Sequence, residues 1–382
     1  VSAPDGTPDR ADDDTPDPAA GFPAVTRRTA LAVGVPTVAA LVGLTALTAP
    51  RPARLGEPTG DETLTSAIAG QLDGHRHVAI AYLDGSGQTR FCGFGADEST
   101  EFEIGSATKT FTGALMAEGI ARGEVTAETT VEEILGDEAA DSAIADVTLA
   151  ELATHTSGMP RLGGATLGAS LAGTFLRKDP YAGRDADQVI ADALATTPSG
   201  RGEYAYSNIG AALEGQLLAR AAGTGYGSLL AERVLDPLGL AGTYLPLTEA
   251  GMREGAPRGH TATGLGSAAW TLDGSAPAGG LRSTAADLAV YLQGTLDGSA
   301  PGADAATEVL FEGSATSRNG MNWFHQDVGD GVWVTFHNGQ TGGFASFLGF
   351  VPETGRGIVL LTDTARSIDT LGVRILTGEV AL

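Results

Sequence analysis

Phe102-Glu103-Ile104-Gly105-Ser106-Ala107-Thr108-Lys109-Thr110-Phe111 is the stretch around which the chain is organised. A short apolar approach ends at Gly105, and from there Phe111, Leu115, Met116 and Ile120 fall on one stripe at three- and four-residue steps. The spacing predicts a helix opened by Ser106. Residues three apart on a helix lie roughly 5 to 6 Å from each other between Cβ atoms, so Ser106 and Lys109 can face one another as a nucleophile beside a base. A free lysine has a pKa of about 10.4, so Lys109 can take a proton from serine only if it is desolvated or placed near another cation. The positive end of the helix dipole acts in the same sense, favouring an alkoxide and disfavouring an ammonium.

Ser-x-x-Lys alone is a weak signal, and composition sharpens it. Of 23 basic residues only Lys109 and Lys178 are lysines, so arginine supplies nearly every plain positive charge. Arginine cannot be deprotonated in a protein, and a lysine kept at this spacing therefore points to chemistry.

With 382 residues and 42% hydrophobic content the chain can bury a large core, in one large domain or two lobes. A formal charge of -24 argues against nucleic-acid binding, which needs basic patches to displace counterions. Cys92 is the only cysteine, which excludes an intrachain disulfide and a cysteine metal cluster; its apolar setting predicts a buried structural thiol. His75 and His77 form a His-x-His spacing that could in principle bind a metal, and read as the solvated start of a strand. No metal and no organic cofactor are implied.

Residues 1–28 read as a disordered acidic tail, with the run Asp12-Asp13-Asp14 and little to pack. Residues 29–49 are uncharged over about the length a bilayer requires and follow Arg27-Arg28, in the manner of a twin-arginine export signal. Either a cleaved signal or a retained membrane anchor fits, because the small-residue cleavage site is poor. The expectation is an extracytoplasmic protein, secreted or anchored. Residues 50–60 read as a linker and residues 61–382 as the folded domain, with a helical lobe at about 125–260.

Within that domain Asp61 to Leu72 is the first helix. Val78 to Tyr82 and Gln88 to Phe94 form a β-hairpin about Asp84-Gly85-Ser86-Gly87. Capping boxes at Thr148-Glu151 and Thr284-Asp287 open helices, and Gln188 to Leu194, Ile209 to Ala222 and Ser228 to Leu235 are helical in pattern. Val332 to His337, Phe344 to Val351 and Gly357 to Thr362 then return to strands before a closing helix. Strands at both ends around a helical insert predict an α+β fold, a five-stranded antiparallel sheet flanked by helices with a helical lobe.

Two further stretches complete a candidate site. Tyr206-Ser207-Asn208 offers a phenol, a hydroxyl and an amide just before a helix. His337-Asn338-Gly339-Gln340 ends one strand, and glycine at 339 would let a ligand backbone approach the strand edge. With Ser106-Ala107-Thr108-Lys109 these form an ordered triplet that resembles the serine β-lactamase and D-alanyl-D-alanine peptidase superfamily, on its class C side. Leu152 to Gly158, Leu235 to Leu240 and Ala278 to Thr284 look like the same family, and the resemblance covers roughly residues 61–382.

The resemblance implies a β-lactamase/transpeptidase-like fold and a serine hydrolase that forms an acyl-enzyme. Ser106 would attack a carbonyl while Lys109 and Tyr206 share the proton traffic. Asn208 would bind the substrate amide, and the N–H groups of Ser106 and Gln340 would form the oxyanion hole. Many β-lactamases have Lys where this chain has His337, and an unperturbed histidine is mostly neutral above about pH 6.5. That departure favours a peptidase or esterase over an efficient β-lactamase, with His337 protonation expected to tune recognition of substrate carboxylates. The alternatives are a β-lactamase and a catalytically silent protein that binds cell-wall peptide.

Overall fold

Val78, Ile80 and Tyr82 alternate with Ala79, Ala81 and Leu83 along β2 (Val78–Asp84), and the two sets bury against different layers. A strand covered on both faces needs apolar residues at successive positions, which this one has. The computed structural model describes residues 53–164 and 177–382; the tail and the 29–49 run lie outside the described residues. The main sheet is antiparallel and contains β1 (Pro58–Gly60), β2, β3 (Thr89–Phe94), β4 (Phe311–Ser314), β5 (Ser317–Asn319), β6 (Phe324–Asp327), β7 (Trp333–Gln340), β8 (Ala345–Val351) and β9 (Arg356–Thr362). Their order is β1-β3-β2-β9-β8-β7-β6-β5-β4.

The expected mixed fold of sheet and helices holds, but the sheet has nine strands and not five. The five legible ones, β2, β3, β7, β8 and β9, are long and largely apolar. The others are segments of three or four residues. Glu312, Ser314, Ser317 and Arg318 carry no apolar alternation, and cross-strand pairing alone makes β4 and β5 strands. β1 comes from the segment read as a linker, where Pro58 to Gly60 pair with Cys92 to Phe94 at the sheet edge.

The helices that position the site are α1 (Glu62–Ile68), α2 (Thr108–Ala121), α3 (Leu149–Ala153), α4 (Ala186–Leu194), α5 (Asn208–Ala221), α6 (Ala285–Leu296) and α7 (Asp369–Leu376). Asp61 caps α1, and capping boxes open α3 and α4 through Thr148/Glu151 and Asp185/Gln188. Leu64 and Ile68 of α1 and Leu371 and Ile375 of α7 cover one face of the sheet. Leu288 and Leu292 of α6 cover the other, with α2 beyond them. Among the described residues no helix is long and apolar enough to cross a membrane.

Helix α2 departs from the single stripe expected of it. Thr108 to Ala117 are buried without interruption, so the helix is enclosed on all sides. Phe111 stacks on Tyr291 with centroids 4.0 Å apart, and Thr112 shares hydrogen bonds with Tyr226 Oη and the Pro277 carbonyl. Such enclosure places Lys109 in the interior.

Cys92 is buried as expected, and burial pushes its thiol up to about 12. The histidine pair differs from its sequence reading. His75 is buried with Nδ1 3.2 Å from Thr362 Oγ1, and His77 Nδ1 lies 2.8 Å from the Asp363 carboxylate. That carboxylate comes from the residue that follows β9, far along the chain. Among the described residues no group of three His, Cys, Asp or Glu side chains is placed to hold a metal.

The turn before Ser106 is anchored by a buried ion cluster. Phe102–Glu103 pairs with Arg282–Ser283 as two short strands. The Arg282 guanidinium donates to Glu101, to Glu103 at 3.0 Å and to the Pro257 carbonyl at 2.7 Å. Glu103 also accepts the Trp270 N–H at 3.0 Å. Removing one partner of a buried pair strands the other charge, so Arg282→Met is expected to destabilise the fold by about 3–5 kcal/mol in urea unfolding. Adding Glu103→Leu should recover part of that loss.

Candidate active site

Ser106 sits in the tight turn Gly105–Ala107 that runs directly into α2. Gly105 has φ +51°, and an added Cβ would stand 2.8 Å from the Gln340 nitrogen. Glycine there supplies both the left-handed backbone and the clearance. The nucleophile's turn thus lies directly against the end of β7.

Lys109 Nζ is 3.2 Å from Ser106 Oγ, 2.9 Å from Asn208 Oδ1 and 2.6 Å from the Ala278 carbonyl. As a free amine it has two N–H donors and one lone pair. Asn208 Oδ1 and the Ala278 carbonyl can only accept, so they take the two N–H groups and the lone pair is left for the Ser106 hydroxyl. Burial holds the Lys109 pKa well below its ordinary value, and the Arg161 charge adds to the effect. Glu214 opposes this weakly. Burial pushes its carboxyl up to about 8 despite Asn322 Nδ2 at 3.0 and 2.9 Å, so it is largely protonated at neutral pH.

Tyr206 and Asn208 come from the helical insert. Ser207 caps α5, and its hydroxyl accepts from Gly210 N and donates to the Pro160 carbonyl. The Asn208 side chain is thereby free to bridge Lys109 and Tyr181 Oη, the latter at 3.2 Å. The Tyr206 ring lies 4.9 Å from Lys109 Nζ and 4.4 Å from the His155 ring. Burial raises the Tyr206 phenol above its usual value, partly offset by its hydrogen bond to Ser106 and the Arg161 charge. At neutral pH it keeps its proton.

A cavity of about 600 Å³ opens over Ser106, Tyr206, Asn208, Gly339 and Gln340. Lys109 lies beneath its floor. Strand β6 pairs with β7 only as far as Phe336–Phe324, whereas β8 continues to Gln340–Ala345. Thr341 N–H bonds the Phe344 carbonyl on the β8 side, so by antiparallel alternation the Gln340 N–H faces the side that β6 leaves open. That is the side on which Ser106 stands.

Two sequence expectations change. His337 is fully buried and does not line the cavity. Its ring packs 4.7 Å from that of Phe324, and Nδ1 donates to the Asn338 carbonyl at 2.6 Å. Burial, reinforced by the Lys109 charge, pushes its pKa down to about 3, so the imidazole cannot serve as a protonation switch near neutral pH. Gly339 does line the cavity, but the space a Cβ would occupy there belongs to the Ile104 carbonyl and Ser346 hydroxyl. The glycine admits the nucleophile's turn, not a ligand backbone.

Arg161, Tyr181, Trp270 and Asn338 also line the cavity and were not singled out from sequence. Each lies in a loop or beside a quoted motif, with no spacing rule to mark it. Asn338, adjacent to His337, was the one within reach of the motif reading. Gly279 also lines the cavity, and His155 is structural, with φ +59° and the Ser207 N–H on its Nδ1 at 3.4 Å.

A family model described as Beta-lactamase matches residues 60–376. The chain is 29% identical to penicillin-binding protein 4 of Amycolatopsis lactamdurans over 83% of its own length and 85% of that protein. It is 25% identical to a β-lactamase of Pseudomonas fluorescens over 70% of its length and 80% of that protein. Among solved structures, a class C β-lactamase superposes with TM-score 0.69 at 22% identity, over 83% of this chain and 95% of that one. A D-stereospecific amidohydrolase from Streptomyces sp. superposes with TM-score 0.68 at 21% identity, over 83% and 97%.

Because the native state holds His337 unprotonated down to about pH 3 while an unfolded histidine gains a proton near 6.5, the native state binds fewer protons in that window. On this group's account stability is full above about pH 6.5 and declines as pH falls toward 3. Its imidazole resonances are expected to show no titration between about pH 5 and 9 by NMR. Gly339→Ala is expected to lower stability by about 1–3 kcal/mol through overpacking and, by displacing the Ser106 turn, to lower kcat/KM at least about tenfold.

Proposed function

Because this chain belongs to the beta-lactamase family, we propose that it hydrolyses D-Ala-type peptides or related amides and esters through an acyl-enzyme on Ser106. The observation that carries the reading is the Lys109 amine, fully buried, deprived of its ordinary basicity and 3.2 Å from the Ser106 hydroxyl. In acylation the Ser106 proton passes to the Lys109 lone pair as Oγ bonds to the substrate carbonyl carbon. The N–H groups of Ser106 and Gln340 stabilise the developing oxyanion. As the C–N or C–O bond breaks, the leaving group takes a proton through Tyr206, which is reprotonated from Lys109. Water then attacks the acyl ester with the same groups in reverse order, restoring Ser106 and releasing the acid.

The raised Tyr206 pKa suits it to relay a proton, not to stand as a phenolate base. Asn208, held by Lys109 and Tyr181, keeps a second Nδ2 hydrogen for the substrate amide. A neutral His337 leaves no cation at the third motif, which supports a peptidase, amidase or esterase reading over β-lactamase. Relatives named as a penicillin-binding protein and as an amidohydrolase support the same choice. Arg27-Arg28 and the uncharged run at 29–49 support placing the reaction outside the cytoplasm.

Intact-mass analysis after mixing with a penicillin tests the site. A lasting adduct absent from Ser106→Ala is expected; an adduct that survives the substitution would overturn the assignment. Rapid drug turnover without an adduct would favour a β-lactamase, turnover of an activated ester alone an esterase, and no reaction with retained cell-wall peptide binding a silent binder. Lys109→Arg keeps the charge but cannot act as a base, so acylation should slow by about 10²–10⁴-fold. Wild-type acylation in that variant would remove Lys109 from the mechanism.

A further inference from the structure

The chain carries 47 acidic against 23 basic residues, yet no Asp or Glu among the described residues lines the cavity over Ser106. Among the described lining residues Arg161 alone is charged, and it is set among Tyr181, Tyr204, Trp270 and Phe324. Lys109 is no substitute, since it lies below the floor with all three contacts occupied. Arg177 and Lys178 line a neighbouring cavity that shares Trp270, Gln340 and Thr341 with this one. The neutral, enclosed His337 offers no charge either.

Arg161 combines a fastened backbone with an uncommitted head. Its carbonyl accepts the Asn208 N–H at 2.9 Å, and the preceding Pro160 carbonyl accepts the Ser207 hydroxyl at 2.7 Å. The loop is thereby tied to the segment that leads into α5, on which the Tyr206 and Asn208 side chains stand. The exposed guanidinium lies 5.1 Å over the Tyr206 ring, and among the described residues it meets no carboxylate within ion-pair distance. Most other described arginines are ion-paired, among them Arg90 with Asp61, Arg201 with Glu151 and Arg233 with Glu124. An unpaired guanidinium in an aromatic cavity free of acids is suited to a planar anion, which it can grip with two N–H groups at once.

We propose that Arg161 is a substrate-recognition residue that selects substrates bearing a carboxylate near the scissile acyl bond. This rests on the acyl-transfer reading given above. It replaces the titrating His337 anchor with a permanent cation from a different loop, so carboxylate preference should not vanish on passing from pH 6 to 8.

Two matched substrate pairs test it: an acyl-D-alanyl thioglycolate against its carboxamide, and a p-nitrophenyl hemiglutarate against its carboxamide. The first pair places the carboxylate on the leaving group and the second on the acyl side. The wild-type chain is expected to prefer the carboxylate member of at least one pair. Arg161→Gln should lower kcat/KM for that member about 10- to 100-fold more than for its neutral partner, mainly through KM, as loss of a charge-assisted ground-state contact predicts. Arg161→Lys should restore part of the preference, and added salt should narrow it in the wild type.

An unchanged ratio in Arg161→Gln, or no carboxylate preference in the wild type, would overturn the assignment. Calorimetric binding of the carboxylate substrates to Ser106→Ala, with and without Arg161→Gln, separates this failure from failure of the hydrolase reading. Arg161-dependent binding without wild-type turnover would sink the hydrolase reading and keep the recognition site. Turnover with an Arg161-independent ratio would do the reverse.

Discussion

The burial of one lysine governs this site. An ammonium loses most of its hydration when enclosed, and Glu214, the one carboxyl among the described residues that acts on Lys109, is largely protonated at neutral pH and does not compensate. Two acceptor-only oxygens, one from Asn208 and one from Ala278, orient the amine so that its remaining valence points at Ser106. The nucleophile, the amide on α5 and the backbone before Gly279 are therefore coupled through a single nitrogen. Motion in any of the three segments would misplace the base relative to the serine.

Holding that nitrogen in place requires an unusually enclosed helix and two close backbone approaches. α2 is packed on every side, with its threonines satisfied internally, which keeps water from the lysine. Gly105 and Gly339 face each other's strands without side chains, and the Ile104 carbonyl enters the space beside Gly339. Arg282 and Glu103 stiffen the approach to this turn, and the same Glu103 carboxylate accepts the N–H of Trp270 in the cavity wall. Structural ion pairing and substrate-cavity shape are thus continuous.

Charge in the site is distributed differently from the motif order. His337 occupies the position where a cation would face an incoming anion, yet its ring is turned inward, with Nδ1 bound to the next carbonyl and Nε2 enclosed without a partner. Its neighbour Asn338 lines the cavity instead, with Nδ2 bound to Asp369 on α7 at 2.8 Å. The permanent positive charge among the described residues lining the cavity belongs to Arg161, which lies over the Tyr206 ring. Its field also reaches Lys109 and favours the free amine.

The sequence by itself determined the local facts: Ser106 and Lys109 one helical step apart, the hairpin of β2 and β3, the capped starts of α3 and α6, and the order of three motif stretches along the chain. These depend on neighbours within a few residues, where spacing and side-chain chemistry suffice. Tertiary structure alone decided the rest. β4 and β5 exist because partners pair with them, His77 acquires the Asp363 carboxylate from just beyond β9, and Gly339 is required by a turn more than two hundred positions away. Whether a histidine is charged, and which arginine faces a substrate, depends on enclosure by distant segments, because desolvation acts through space and leaves no periodic trace in the chain.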